Sequence, residues 1–137
     1  MKSTLQPGLA AQADFTVDRE RTIYFMGEAA RVYATPVLVR DIEIACRNLL
    51  LAHLDAGEDS VGTRVEIDHI GATLLGMKVA LSVRVAEVNG RAVVFEVEGR
   101  DAVEPIVRGR HSRFVVDVAK TAQRLAAKAE KARSASL

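Results

Sequence analysis

The stretch Thr35-Pro36-Val37-Leu38-Val39-Arg40-Asp41-Ile42-Glu43-Ile44-Ala45-Cys46-Arg47-Asn48-Leu49-Leu50-Leu51-Ala52-His53-Leu54 decides the fold. Thr35 is a hydroxyl residue suited to an N-cap, and Pro36 suits the first helical position, where its missing N–H would have had no partner inside the helix. Gly57 supplies the stop. Between these signals apolar residues cover most of the circumference, and only Arg40, Asp41, Glu43, Arg47 and Asn48 form a polar arc. Such a helix is buried, and whatever surrounds it must be built from the rest of the chain.

Downstream the period changes from helix to strand. Val61 to Gly71 alternates, with Val61, Thr63, Val65, Ile67 and His69 on one face and Gly62, Arg64, Glu66, Asp68 and Ile70 on the other. Met77 to Val88 places Met77, Val79, Leu81, Val83 and Val85 on one face, and Arg91 to Arg100 returns with Val93, Phe95 and Val97 inward. Asn89-Gly90 between them predicts a type I′ hairpin. A last strand runs from Pro105 to about Asp117 and is apolar on both parities. Residues 118–137, rich in Ala, Lys and Arg, predict a helix with a polar end. Upstream, Ala13–Val17 and Thr22–Met26 predict short strands on either side of the charged turn Asp18-Arg19-Glu20-Arg21. The expected architecture is α+β, an antiparallel sheet wrapped around one long helix, in a single domain over residues 1–137.

Composition narrows the function. The 137 residues carry a net charge of +1, with 49% hydrophobic and 27% charged residues. That balance lacks the basic excess of a nucleic-acid binder, and 4% aromatics without tryptophan offers little surface for stacking bases. No apolar run reaches the ~18 residues that span a bilayer, and none near Lys2 and Ala11-Gln12-Ala13 has the length of an export signal. A cytoplasmic location is expected. The single Cys46 leaves no partner for a disulfide.

Three polar residues are candidates for chemistry on the helix side of the sheet: Thr35 at the helix start, Glu43 two turns later, and His69 on the inward strand face. Together they suit a hydrolytic site, with Glu43 and His69 as acid, base or nucleophile and helix N-terminal amides, from Thr35 or from Val37 onward, holding an oxyanion. Each also has a structural reading. Thr35 can be only a cap, Glu43 can pair with Arg47 at i,i+4, and His69 can be a satisfied core residue. Cys46 and His53 read as packing and helix-end residues, and His111 and Arg113 as ordinary strand residues. Asp68-His69 are adjacent and point to opposite faces, so no metal site is expected.

Four separated segments carry a more specific signal. Val32-Tyr33-Ala34-Thr35-Pro36 with Ile42-Glu43-Ile44-Ala45, Ser60-Val61-Gly62-Thr63, Asp68-His69-Ile70-Gly71-Ala72-Thr73, and Gly109-Arg110-His111-Ser112-Arg113 resemble, in order and spacing, the fluoroacetyl-CoA thioesterase-like family of hotdog-fold proteins. The resemblance implies a homodimer with sheets joined edge to edge, active sites at the subunit interface, no cofactor, and hydrolysis of an acyl-CoA thioester. It implies Thr35, Glu43 and His69 as catalytic residues, and Gly62 and Arg113 beside the acyl site, with Val37 among the substrate contacts.

One departure bears on the substrate. The fluoroacetyl-specific enzyme closes its pocket with phenylalanines shortly before the catalytic threonine, whereas Met26-Gly27-Glu28-Ala29-Ala30-Arg31 contains none. A different short or medium acyl group is expected. A hydratase on the same fold lacks its motif here. A binding protein for acyl-CoA or acyl carrier, keeping the pocket without the chemistry, is the non-enzymatic alternative.

Overall fold

The computed structural model describes residues 1–137. Strand β1 (Ala10–Thr16) precedes a short hairpin of β2 (Thr22–Ile23) and β3 (Val32–Tyr33), and helix α1 spans Thr35–Leu51. Strands β4 (Glu58–His69), β5 (Lys78–Asn89), β6 (Ala92–Asp101) and β7 (Pro105–Asp117) follow, and α2 (Val118–Ala132) closes the chain. The five long strands form one antiparallel sheet in the order β1-β5-β6-β7-β4, which leaves β1 and β4 as its edges.

The sheet curls around α1 because its inward alternation is apolar. Val79, Leu81, Val83 and Val85 from β5 and Val93, Phe95 and Val97 from β6 meet Leu38, Ile42, Ala45, Cys46 and Leu50 from the helix in one buried cluster. At roughly 1.5–3 kcal/mol per fully buried large aliphatic or aromatic side chain, this cluster is the main source of stability. The α+β hotdog architecture expected from the sequence is the one observed.

Several local expectations are corrected. The helix ends at Leu51, and Gly57, at φ 83°, lies in the turn before β4. The hairpin between β5 and β6 turns on Gly90-Arg91, with Asn89 paired to Ala92 and positive φ only at Gly90, so the turn is of the II′ kind. The predicted unbroken alternation of β4 fails at a β-bulge between Gly62 and Arg64. Paired residues share a face, so Ser60 and Gly62 lie with Val115 and Arg113 before the bulge, and Val65, Ile67 and His69 lie with His111, Gly109 and Val107 after it. Val61 and Thr63 are therefore exposed. The ambiguous faces of β7 resolve with His111, Arg113 and Val115 buried toward the helix and Phe114 outside.

At Gly109 the backbone of β7 presses against β4: a Cβ built there would stand 2.1 Å from the Glu66 carbonyl oxygen. Backbone cannot yield as a flexible side chain does. Gly109→Ala is expected to lower unfolding stability by about 1–3 kcal/mol, read as a lower urea midpoint with an unchanged m-value. An unchanged midpoint would show that the strands separate freely at this point.

Candidate active site

Tyr33 and Asp41 set the position of the helix start. The Tyr33 hydroxyl donates to Asp41 Oδ2, 2.5 Å away, and Arg21 Nε donates to the same oxygen at 2.9 Å. Asp41 is buried, so this pairing is what makes its charge tolerable there. Burial, reinforced by Asp41, pushes the Tyr33 phenol far above its ordinary range and keeps it a donor. The Tyr33 ring in turn meets Phe15 edge-on at 5.9 Å and His69 at 6.3 Å between centroids.

Thr35 is not the N-cap. Ala34 takes that position without a side-chain bond, and Thr35 Oγ1 instead lies 2.8 Å from His69 Nδ1. Pro36 has no amide proton, and the Val37 and Leu38 amides both donate to the Ala34 carbonyl, at 3.1 and 2.9 Å. The Thr35 amide is left as the helix-end donor not used by the first turn. Val37 itself packs against the core. The Thr35–His69 pair lines a cleft of about 270 Å³ with Ile23, Val32, Tyr33, Ile70, Gly71 and Ala72. His69 Nε2 is buried there with no partner at hydrogen-bond geometry, and burial, opposed in part by the Gly71 backbone, pulls the imidazole below its ordinary value of 6.5 toward the neutral form. Such an orphaned polar atom calls for a partner.

Glu43 lies elsewhere. Eight residues along α1 place it roughly 12 Å from Thr35, on the side of β4 that carries Gly62. The expected pair with Arg47 does not form, because Arg47 makes a bidentate bond to Asp59, at 2.9 and 2.7 Å. Glu43 Oε2 instead faces Arg113 NH1 at 3.5 Å. Gly62 leaves the space over this group open: a Cβ there would stand 3.1 Å from Glu43 Oε2 and 3.2 Å from His111 Cε1. The structure thus brings Thr35 and His69 together, and separately gathers Glu43, Gly62 and Arg113, but within one chain it does not bring all of them to one cleft.

His111 and Ser60 belong to the second cluster, although the sequence marks them only as strand residues within the family-like segments. Their signal was the adjacency of His111 and Arg113 on one parity of an otherwise apolar strand. His53, read as a helix-end residue, bonds Thr4 Oγ1 through Nδ1 at 2.8 Å.

A family model described as fluoroacetyl-CoA-specific thioesterase matches residues 17–119. The fluoroacetyl-CoA thioesterase of Streptantibioticus cattleyicolor is 30% identical over 127 residues, covering 88% of this chain and 91% of that protein. A crystal structure of a Thermus thermophilus thioesterase superfamily member superposes with a TM-score of 0.88 at 28% identity, covering 97% of this chain and 99% of the other. The solved fluoroacetyl-CoA thioesterase gives 0.83 at 28% identity, covering 92% and 98%. A phenylalanine-to-alanine variant of that enzyme, solved with fluoroacetate and CoA, gives 0.79 at 30%, covering 85% and 99%. A match over residues 17–119, supported by the same fold throughout, means that the chain belongs to the fluoroacetyl-CoA-specific thioesterase family.

Proposed function

We propose that this protein hydrolyses a short or medium acyl-CoA thioester at a site shared between two copies of the chain. The observation that carries the reading is the separation just described. Thr35 with His69 at the end of β4, and Glu43 with Gly62 and Arg113 in its first half, are two half-sites along one strand, and β4 is an unpaired sheet edge. Two antiparallel copies of that edge would set the Glu43 end of one against the His69 end of the other. Val61, Val65 and Ile44, apolar and exposed in the single chain, would be covered by that pairing.

In the reaction the water O–H bond and the acyl C–S bond break, the hydroxyl joins the acyl carbon, and the proton goes to the CoA sulfur. Glu43 supplies the carboxylate, acting on the acyl carbon directly or through water, since both routes need it in one place. The Thr35 amide and hydroxyl face the developing oxyanion, and His69, through the free Nε2, carries a proton. Gly62 keeps the approach to the carboxylate open, Arg113 holds its charge, and Val37 borders the acyl group. The absence of phenylalanine from residues 26–31 argues for an acyl group other than fluoroacetyl. The reading requires no cofactor.

Free-thiol release from acyl-CoAs of increasing chain length is expected from the wild type, with a loss of at least about a hundredfold in Glu43→Ala, the usual size of a general-base contribution. Binding of CoA esters without release from any of them would replace the enzyme by a binding protein. A mixture of Glu43→Ala and His69→Ala, each inactive alone, is expected to recover about a quarter of the wild-type rate, because random re-pairing makes half the dimers mixed and each of those has one intact site. No recovery after verified subunit exchange would place the whole site in a single chain.

Burial also sets a pH limit. The folded pKa of His69 lies below its ordinary 6.5, so the unfolded chain binds the proton first as pH falls. Stability from neutral His69 is complete above about 6.5 and declines on acidification toward the folded value. The limb of kcat/KM that follows this imidazole is expected on the acid side of 6.5. A limb centred above 6.5 would remove His69 from proton transfer.

A further inference from the structure

His111 is a histidine with only 1% of its surface exposed, and both of its ring nitrogens are engaged. Nδ1 lies 2.8 Å from the carbonyl oxygen of Arg64, the residue that follows the β4 bulge. A carbonyl only accepts, so Nδ1 carries the proton and Nε2 of the neutral ring is a lone pair. That lone pair faces Arg113 NH1 at 3.2 Å. The rest of the guanidinium is held by Ser60: Nε donates to Oγ at 2.8 Å and NH2 to the carbonyl at 2.9 Å. Glu43 stands at 3.5 Å from the same NH1, outside the range of a strong hydrogen bond.

We propose that His111 is a positioning residue that draws Arg113 NH1 toward its own Nε2 and so keeps the contact of Arg113 with Glu43 long, at 3.5 Å, leaving Glu43 beside a positive charge without a short ion pair. This rests on the reading of Glu43 as the reacting carboxylate. A guanidinium free to close on a carboxylate does so in a short, charge-assisted bond, and a carboxylate so engaged is a poorer base and nucleophile. Ser60 takes the Nε hydrogen and one NH2 hydrogen, and His111 takes one of the two NH1 hydrogens, which holds the other NH1 hydrogen back from a short bond to Glu43. Burial holds the His111 ring neutral, which the arrangement requires, since a second ring proton would point a donor at a donor. The charged or titratable groups facing the cluster are Glu43 and Cys46 from α1, Asp59 from β4, already paired with Arg47, and Arg113 from β7. Opposite His111 and Arg113, β6 contributes only Phe95 and Val93.

Two variants separate this role from simple packing. His111→Leu fills the space without an acceptor, whereas His111→Gln restores an acceptor near the Nε2 position. The Leu variant is expected to lose about tenfold in kcat, the worth of one charged hydrogen bond, with KM within about twofold. The Gln variant is expected to recover most of that loss. The 13C resonance of the Glu43 carboxyl should move in the Leu variant and stay at its wild-type position in Gln. Equal loss in both variants, or an unmoved resonance in Leu, would overturn the proposal. If the Leu variant does not fold, 15N spectra of the wild-type His111 ring decide: a protonated Nδ1 with an unprotonated Nε2 is required, and the opposite tautomer refutes it. Full activity in Glu43→Ala would bring down the thioesterase chemistry assigned to Glu43, while the ring tautomer and the carboxyl resonance would still report whether His111 holds Arg113.

Discussion

A buried carboxylate is costly by several kcal/mol unless it is paired, and Asp41 makes that demand in the second turn of α1. Two groups hydrogen-bond it, the Tyr33 hydroxyl and the Arg21 guanidinium, and both come from the segment that precedes the helix, while Arg40 of the helix stands farther off at 3.8 Å. The pairing therefore does more than neutralise a charge. It ties the irregular chain between β1 and α1 to the helix, fixes where Ala34 hands over to Thr35, and sets the Tyr33 ring against His69. The Thr35–His69 contact follows from an interaction that includes neither residue.

At the other end of the helix the charged groups are sorted by the sheet. Arg47 reaches Asp59, which frees Glu43 to face β7, and β7 supplies a guanidinium already committed to Ser60 and His111. Arg47 thus has a nearer partner than the Glu43 that helix spacing would assign to it. The outcome is a carboxylate that is 42% exposed, with charge beside it and room over it through Gly62.

What was legible in the sequence was whatever depended on one element at a time. The inward rows of β5 and β6 follow from alternation, and α1 follows from an apolar circumference too broad for an exposed helix. What was not legible depended on a second element. Thr35 has the chemistry of a cap, but His69 lies within reach of its hydroxyl and takes it. The β4 bulge leaves no local mark, because it is imposed by the register against β7, and it reverses which of Val61 and Gly62 faces the helix. Likewise Glu43 and Arg47 have ideal helix spacing, and only the fold reveals Asp59 as the better partner. Thr35, Glu43 and His69 were candidates from their places on the helix and strand, and the family resemblance added Gly62 and Arg113. Their separation into two clusters, Thr35 with His69 and Glu43 with Gly62 and Arg113, was visible only in three dimensions.

Cys46 lies on the buried face of α1 with no measurable exposure, and burial pushes its thiol up to about 12. Almost none of it is thiolate near neutral pH, and reagents that consume thiols have no path to it in the native fold. As the only cysteine of the chain, it is silent while the protein is folded. A disulfide reagent added to the working protein thus reads thiols liberated from outside the chain, and one equivalent of label on the protein itself marks the opening of the core around α1.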